Sequence, residues 1–229
     1  MLKAAANKPI YSVTPFTMVD YPNKTACILW FAGCNMDCVY CYNPEIVYGK
    51  GKISFAEIEI FLESRIGLLD GVVLSGGECT LHKSITTLCE KIKSKGFKIK
   101  MDTNGTNPKV IQKLLDANLL DYVALDFKSL KQSFKDITNS DKYENFETTL
   151  KLLLTSKIDF EVRSTFHRDL ITIRDLITMK KMLCDFGYKK TFYVQQFVSS
   201  KKTIGNLNSS SPFSKIEIEN LLENGIISR

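Results

Sequence analysis

Three cysteines, Cys34, Cys38 and Cys41, fall within eight positions in the spacing Cys-x3-Cys-x2-Cys, directly after an apolar run. No other feature constrains the chain as strongly, because a loop must present three sulfurs together and a scaffold must hold that loop. A lone Cys-x2-Cys pair is ambiguous among zinc, redox chemistry and chance. Structural zinc takes four protein ligands, and no fourth cysteine lies close by in the sequence. Iron–sulfur clusters are held by cysteine thiolates, usually four of them. Three thiolates leave one iron of a cubane with an open coordination position, where a substrate or cofactor binds. The plainer alternatives, three buried small side chains or a zinc knuckle, account less well for so tight a group.

The scaffold is legible in the apolar pattern. Residues 25–31 (Thr-Ala-Cys-Ile-Leu-Trp-Phe) read as a strand buried on both faces of a parallel sheet. Short runs of the same kind recur at 70–74, 97–101, 121–125, 158–163 and 191–197. Helical segments separate them. One opens on a capping box of Ser54 and Glu57, one over 82–95 stops at Gly96, and one runs from Pro108 to Ala117. Two more cover 144–156 and 172–184. Strand alternates with helix about six times, which predicts an α/β fold with parallel strands and right-handed crossovers. Six units rather than eight predict a partial (βα)6 barrel with outer helices.

The expected division is an extended segment over residues 1–24, broken by Pro9, Pro15 and Pro22, then the barrel over 25–200. Residues 201–229 follow as a polar loop and a short terminal helix, with no function assigned. Chemistry in such folds gathers at the C-terminal strand ends. The cysteine loop, Ser75-Gly76-Gly77-Glu78, Asp102-Thr103-Asn104-Gly105 and Asp126-Phe127-Lys128 all follow predicted strands.

Composition narrows the class. The 229 residues are 44% hydrophobic and 24% charged, enough for a real core. The net charge of +6 is spread over lysine-rich helices such as Lys91, Lys93, Lys95 and Lys98, which points to a solvated surface and to no nucleic-acid partner. No run of about 20 apolar residues predicts a membrane span, and the N-terminus has no apolar signal core. Seven cysteines, three of them clustered, favour metal binding in the reducing cytoplasm over a disulfide framework. Cys27 and Cys89 fall on apolar faces as packing residues. Neither a Gly-x-Gly-x-x-Gly fingerprint nor a P-loop is present, and no serine sits in a nucleophile motif.

On these residues the chain resembles the radical S-adenosylmethionine (SAM) superfamily, whose signature is similar to Cys-x3-Cys-x2-Cys with an aromatic, here Tyr40, before the last cysteine. More narrowly, Gly33-Cys34-Asn35, Cys41-Tyr42-Asn43-Pro44-Glu45 and Asp126-Phe127-Lys128 resemble the glycyl-radical-enzyme activases, and the later motifs resemble the activating proteins of anaerobic ribonucleoside-triphosphate reductase. The resemblance spans residues 15–200. It implies a [4Fe-4S] cluster on Cys34, Cys38 and Cys41, with SAM on the fourth iron and Tyr40 near the adenine. It implies Gly76, Gly77 and Glu78 at the methionyl group, the Glu78 carboxylate accepting from its ammonium. Asp102, Asn104, Asp126 and Lys128 would shape the site's field or touch SAM or a target peptide. Arg163 would hold the SAM carboxylate as a planar fork, His167 would touch the ribose, and Gln195 and Gln196 could reach the nucleoside. Two positions depart from the pattern: Cys79 stands where the family usually has proline, and Tyr42 where many activases have histidine. Cys79 is not expected as a fourth ligand, since SAM should occupy that iron.

The implied reaction begins when an external reductant such as flavodoxin or ferredoxin supplies one electron. SAM then splits to methionine and a 5′-deoxyadenosyl radical, which takes hydrogen from the Cα of a glycine on a partner enzyme. That partner would be a glycyl radical enzyme, by resemblance anaerobic ribonucleoside-triphosphate reductase, whose glycine loop would enter the open side of the barrel. The chain lacks an inserted eight-cysteine ferredoxin module, so one cluster is expected. The alternatives are a radical SAM enzyme acting on another glycyl radical enzyme or a small molecule, and a non-enzymatic metal-binding module.

Overall fold

A computed structural model describes residues 8–198 and 202–229. The first seven residues of the expected extended segment, the last two of the expected barrel and Lys201 lie outside them. The chain divides into two compact units. One comprises residues up to Asn35, Pro44–Thr103 and Lys109–Val123; the other comprises Met36–Asn43, Asn104–Pro108 and Ala124–Arg229.

In the first unit, β1 (Ile10–Thr17) pairs antiparallel with β2 (Ala26–Phe31), which pairs in parallel with β3 (Gly71–Gly76), followed by β4 (Lys98–Thr103). The β1–β2 register slips between Thr14 and Thr17, around Pro15, which has no N–H to give the ladder. β2 is buried on both faces, as its unbroken apolar run requires. Tyr21, Ala26, Ile28 and Val73 form a core cluster against Trp30 and Tyr122. The Trp30 indole N–H donates to the Thr14 hydroxyl at 2.9 Å, so its polar end is satisfied. After the four-residue α1 (Pro44–Val47), α2 (Phe55–Glu63) begins at the predicted capping box. Ser54 N–H donates to the Glu57 carboxylate at 2.8 Å, and Glu57 N–H donates to Ser54 Oγ at 3.3 Å. α3 (Ile85–Ser94) and α4 (Pro108–Asp116, from Lys109 on in this unit) follow β3 and β4.

In the second unit, the strands run in the order β5 (Tyr122–Asp126, of which Ala124–Asp126 belongs here), β6 (Asp159–Phe166), β7 (Phe192–Gln196) and β8 (Ile226–Ser228). The β6–β7 and β7–β8 pairs are parallel. Its helices are α5 (Lys131–Thr138), α6 (Tyr143–Thr155), α7 (Ile173–Asp185) and α8 (Lys215–Glu223). Phe127 stacks on Phe146 with ring centres 4.7 Å apart and meets Phe192 at 6.3 Å.

The six predicted strands are β2 to β7, each within a few residues of its predicted span. The C-terminal segment contributes a strand to the second unit, and Arg229 donates to the buried Glu161 carboxylate at 2.9 Å. No helix among the described residues is long and apolar enough to cross a membrane.

Candidate functional site

The predicted site residues divide between the two units. In the first, the ends of β2 and β3 are stitched together at the entry to the cysteine loop. Gly77 N–H donates to Phe31 O at 2.8 Å, Glu78 N–H to Gly33 O at 2.9 Å, and Gly33 N–H to Ile46 O at 2.8 Å. Glycine is required here. Gly76 has φ +109°, and a Cβ on it would lie 2.5 Å from Phe31 N; a Cβ on Gly77 would lie 1.9 Å from Gly33 O. The sequence suggested that these glycines admit a ligand. In the structure the backbone leading to Cys34 also lies against them.

Glu78 is only 1% exposed and caps the short turn Cys79–Leu81. Its Oε1 accepts from Thr80 N–H (3.2 Å), Thr80 Oγ1 (2.5 Å) and Thr103 Oγ1 (2.9 Å). Hydroxyl and amide donors therefore meet this one oxygen of the carboxylate. Asp102 accepts from Ser75 Oγ at 2.9 Å and from Lys100 Nζ at 2.6 Å. Lys100 is 2% exposed and was missed at the sequence level. The signal was available: Lys98, Lys100 and Asp102 alternate along one strand, so the latter two share a face. Cys79 is fully buried, its thiol directed at Asp102 O at 3.7 Å, and burial pushes its pKa well above that of a free thiol. It is a packing residue.

The second unit holds Cys38, Tyr40 and Cys41. Asp37 and Val39 N–H groups donate to Thr138 O and Ile137 O, both at 3.0 Å, at the C-terminal end of α5. A turn then closes with Cys41 N–H on Cys38 O at 2.8 Å. Burial pushes the Cys38 thiol up to about 11, against the opposing pull of Lys128. Tyr40 is 4% exposed, and its hydroxyl has no partner among the described residues. Lys128 Nζ stands 5.9 Å from the Tyr40 ring centre.

Asp126 is the hub of this half. It accepts from Arg163 Nε at 2.5 Å and from Lys128 Nζ at 2.9 Å. Burial works against its charge, but the two cations outweigh burial and hold its pKa well below the usual carboxylate range. Burial works against Lys128 too, and Asp126 outweighs it, keeping the ammonium charged. The side chain of Asp126 keeps 22% of its exposure, so the value of the network is taken at the low end for buried pairs. Asp126→Asn should cost about 3 kcal/mol, seen as a melting temperature lower by roughly 6–12 °C. Because the folded pKa is depressed, the stabilisation is full above the ordinary aspartate value of about 3.9 and is lost as pH falls from there through the folded value. Melting curves of the two proteins should therefore stay apart at neutral pH and converge in acid. A constant gap down to pH 2 would contradict this account.

Asn104 makes an Asx turn, its Oδ1 accepting from Thr106 N–H (3.0 Å) and Oγ1 (2.7 Å). His167 is fully buried. Its Nδ1 accepts from Asp169 N–H at 3.2 Å, which leaves Nε2–H to donate to Asn208 O at 3.0 Å. Both ring nitrogens thus bond to the chain's own backbone. Gln196 Oε1 accepts from Phe213 N–H at 3.0 Å.

All seven cysteines are free of disulfides. Among the described residues, no three His, Cys, Asp or Glu side chains converge as ligands of one metal ion would. A cubane places each thiolate on a different iron and does not ask for such convergence. The donor set, three thiols from one loop, fits a cluster that keeps one iron for another ligand. The orphaned, buried Tyr40 hydroxyl fits a polar molecule bound beside that loop.

Comparison with known proteins agrees with this chemistry. A family model described as "Radical SAM superfamily" matches residues 28–171. A Methanocaldococcus jannaschii protein named "putative glycyl-radical enzyme activating enzyme" is 32% identical over 194 residues, covering 82% of this chain and 79% of that one. A Methanothermobacter thermautotrophicus protein named "probable GTP 3′,8-cyclase" is 32% identical over 129 residues, 55% of this chain and 41% of that one. The structure of Streptococcus suis SuiB bound to S-adenosylmethionine superposes with a TM-score of 0.67 at 11% identity, over 86% of this chain and 48% of SuiB. This last likeness shows the fold alone: the mostly parallel α/β architecture of radical SAM type expected from the sequence.

Proposed function

Because this chain belongs to the radical SAM superfamily, we propose that it is a glycyl-radical-enzyme activase whose partner is anaerobic ribonucleoside-triphosphate reductase. The single observation that carries the activase reading is the relative of that name, aligned over 79% of its own length. The cyclase relative, which would favour a small-molecule substrate, aligns over only 41% of its length. The motifs Cys41-Tyr42-Asn43-Pro44 and Asp126-Phe127-Lys128 point the same way, and the choice of partner enzyme rests on them.

Cys34, Cys38 and Cys41 would hold a [4Fe-4S] cluster. The chemistry such a cluster supplies when bound is one-electron reduction of the SAM sulfonium. The chain's own residues do the rest. The bonds from Gly77 and Glu78 fix the entry to the cysteine loop, and α5 fixes its middle. Asp126 bonds to both Lys128 and Arg163 and so holds the two cations side by side. The Tyr40 hydroxyl is poised to give or accept one hydrogen bond. Electrons would come from a flavodoxin- or ferredoxin-type donor.

The test mixes reduced, iron-reconstituted protein, SAM and the candidate reductase without air. The expected result is a glycyl radical doublet in the electron paramagnetic resonance spectrum, with about one 5′-deoxyadenosine formed per glycine oxidised. Accumulating 5′-deoxyadenosine with a small molecule and no doublet would transfer the assignment to the small-molecule class. No 5′-deoxyadenosine under any condition would leave only the metal-binding module.

A further inference from the structure

The C-terminal segment, whose composition suggests no role, lies along the second half of the cysteine loop. Gly205 N–H donates to Val39 O at 2.8 Å, and Ile204 N–H donates to Cys41 O at 3.1 Å. The approach is close: a Cβ on Gly205 would lie 2.7 Å from Val39 Cβ and 2.8 Å from its carbonyl oxygen. Thr203 is 2% exposed and closes the segment on itself. Its Oγ1 accepts from Leu207 N–H at 3.0 Å, and its carbonyl accepts from Asn206 N–H at 3.1 Å. The far end is anchored by the buried His167, which donates to Asn208 O, and by Arg168. The Arg168 guanidinium donates to Ser211 O (3.0 Å), Pro212 O (2.7 Å) and the Glu217 carboxylate (2.9 and 2.8 Å).

Val39 is therefore held on both backbone polar groups, its N–H by α5 and its carbonyl by Gly205. Tyr42, next to the third cysteine, is tethered as well. Its ring stacks on Phe197 at 5.2 Å, and its hydroxyl accepts from Val198 N–H at 2.5 Å. Loops that carry ligands are usually the mobile part of a protein, and supporting contacts one shell out set ligand geometry and affinity. The bonds from Ile204 and Gly205 sit on two residues that flank and include a proposed ligand.

We propose that residues 203–208 are a positioning strap for the cysteine loop. By fixing the backbone of Val39 and Cys41, the strap holds the Cys38 and Cys41 sulfurs in place for the cluster. For the cluster itself the proposal rests on the superfamily chemistry above, and its test separates the two. Wild type, Gly205→Ala and Thr203→Val are compared without air. Thr203→Val removes the hydroxyl that accepts from Leu207 while keeping volume, so it loosens the strap even where the tighter Gly205→Ala fails to fold.

Three readouts are taken: amide hydrogen exchange at Ile204 and Gly205 in the metal-free chain, the rate at which a chelator bleaches the visible iron–sulfur absorption after reconstitution, and the melting temperature. The expected result is faster exchange at both amides and bleaching about ten- to a hundredfold faster, with Thr203→Val melting close to wild type and Gly205→Ala below it. Unchanged exchange in both variants overturns the strap. So does faster exchange with a wild-type bleaching rate, since the segment would then be a cover that positions nothing. Absence of iron–sulfur absorption in all three proteins, wild type included, overturns the cluster on which the proposal rests.

Discussion

Alanine at any one of Cys34, Cys38 or Cys41 is expected to take iron in the reconstituted protein from about four atoms per chain to near zero, and 5′-deoxyadenosine formation with it. The argument is one of coordination number. With two thiolates the loop cannot hold a cubane against sulfide and solvent, and the four other cysteines have places of their own. Cys79 is fully buried with its thiol on Asp102 O, Cys27 and Cys89 are buried in the core, and Cys184 lies on the surface at the end of α7. The control is Cys27→Ala. Burial pushes that thiol to about 12, so it is a packing group, and its loss should cost on the order of 1 kcal/mol with iron content unchanged. Iron and sulfide analysis with visible spectra decides the matter. A single-cysteine variant of the loop that keeps its cluster, or a wild-type loop that takes only zinc, would refute the assignment.

How far this site could be read in advance depended on the range of the interactions. Strands β2 to β7 were legible because a strand covered on both faces must be apolar throughout, which a short window reveals. The α2 cap was legible because Ser54 and Glu57 are three residues apart. α5 was not: its buried residues are Phe134, Ile137 and Thr138, Leu130 offers no capping side chain, and the other five of its eight residues are Lys, Gln, Ser and Asp, so no helix was read there. β8 has three residues and exists only because β7 offers it an edge. The same distinction runs through the site. That the motifs follow strands could be seen from spacing. That Glu78 is met by Thr103, 25 residues on, that Asp126 is shared by Lys128 and Arg163, and that residue 205 rests on residue 39 could not. Each of these depends on which distant segments the fold brings together, and so the partners of the site residues were less legible than their positions.

Gly77 makes that dependence measurable. Alanine there would place Cβ 1.9 Å from the carbonyl oxygen of Gly33 and 2.6 Å from its carbonyl carbon. Both are backbone atoms, so no rotamer change relieves the overlap, and either β3 or the entry to the cysteine loop must move. Such a shift also strains the bonds from Gly77 N–H to Phe31 O and from Glu78 N–H to Gly33 O. Overpacking alone costs about 1–3 kcal/mol, and loss of one of these buried bonds adds about 1 kcal/mol more. Gly77→Ala should therefore melt roughly 4–16 °C below wild type and incorporate little iron. Gly67→Ala is the comparison. Gly67 also has positive φ (+77°), but nothing lies within 4 Å of the new methyl, so only the left-handed backbone cost of about 1–2 kcal/mol applies. Iron uptake in that variant should match wild type. A Gly77→Ala protein with the wild-type melting point and weakened SAM binding would mean that the residue faces the ligand, as the motif first suggested, and that the backbone contact with Gly33 is not what demands glycine.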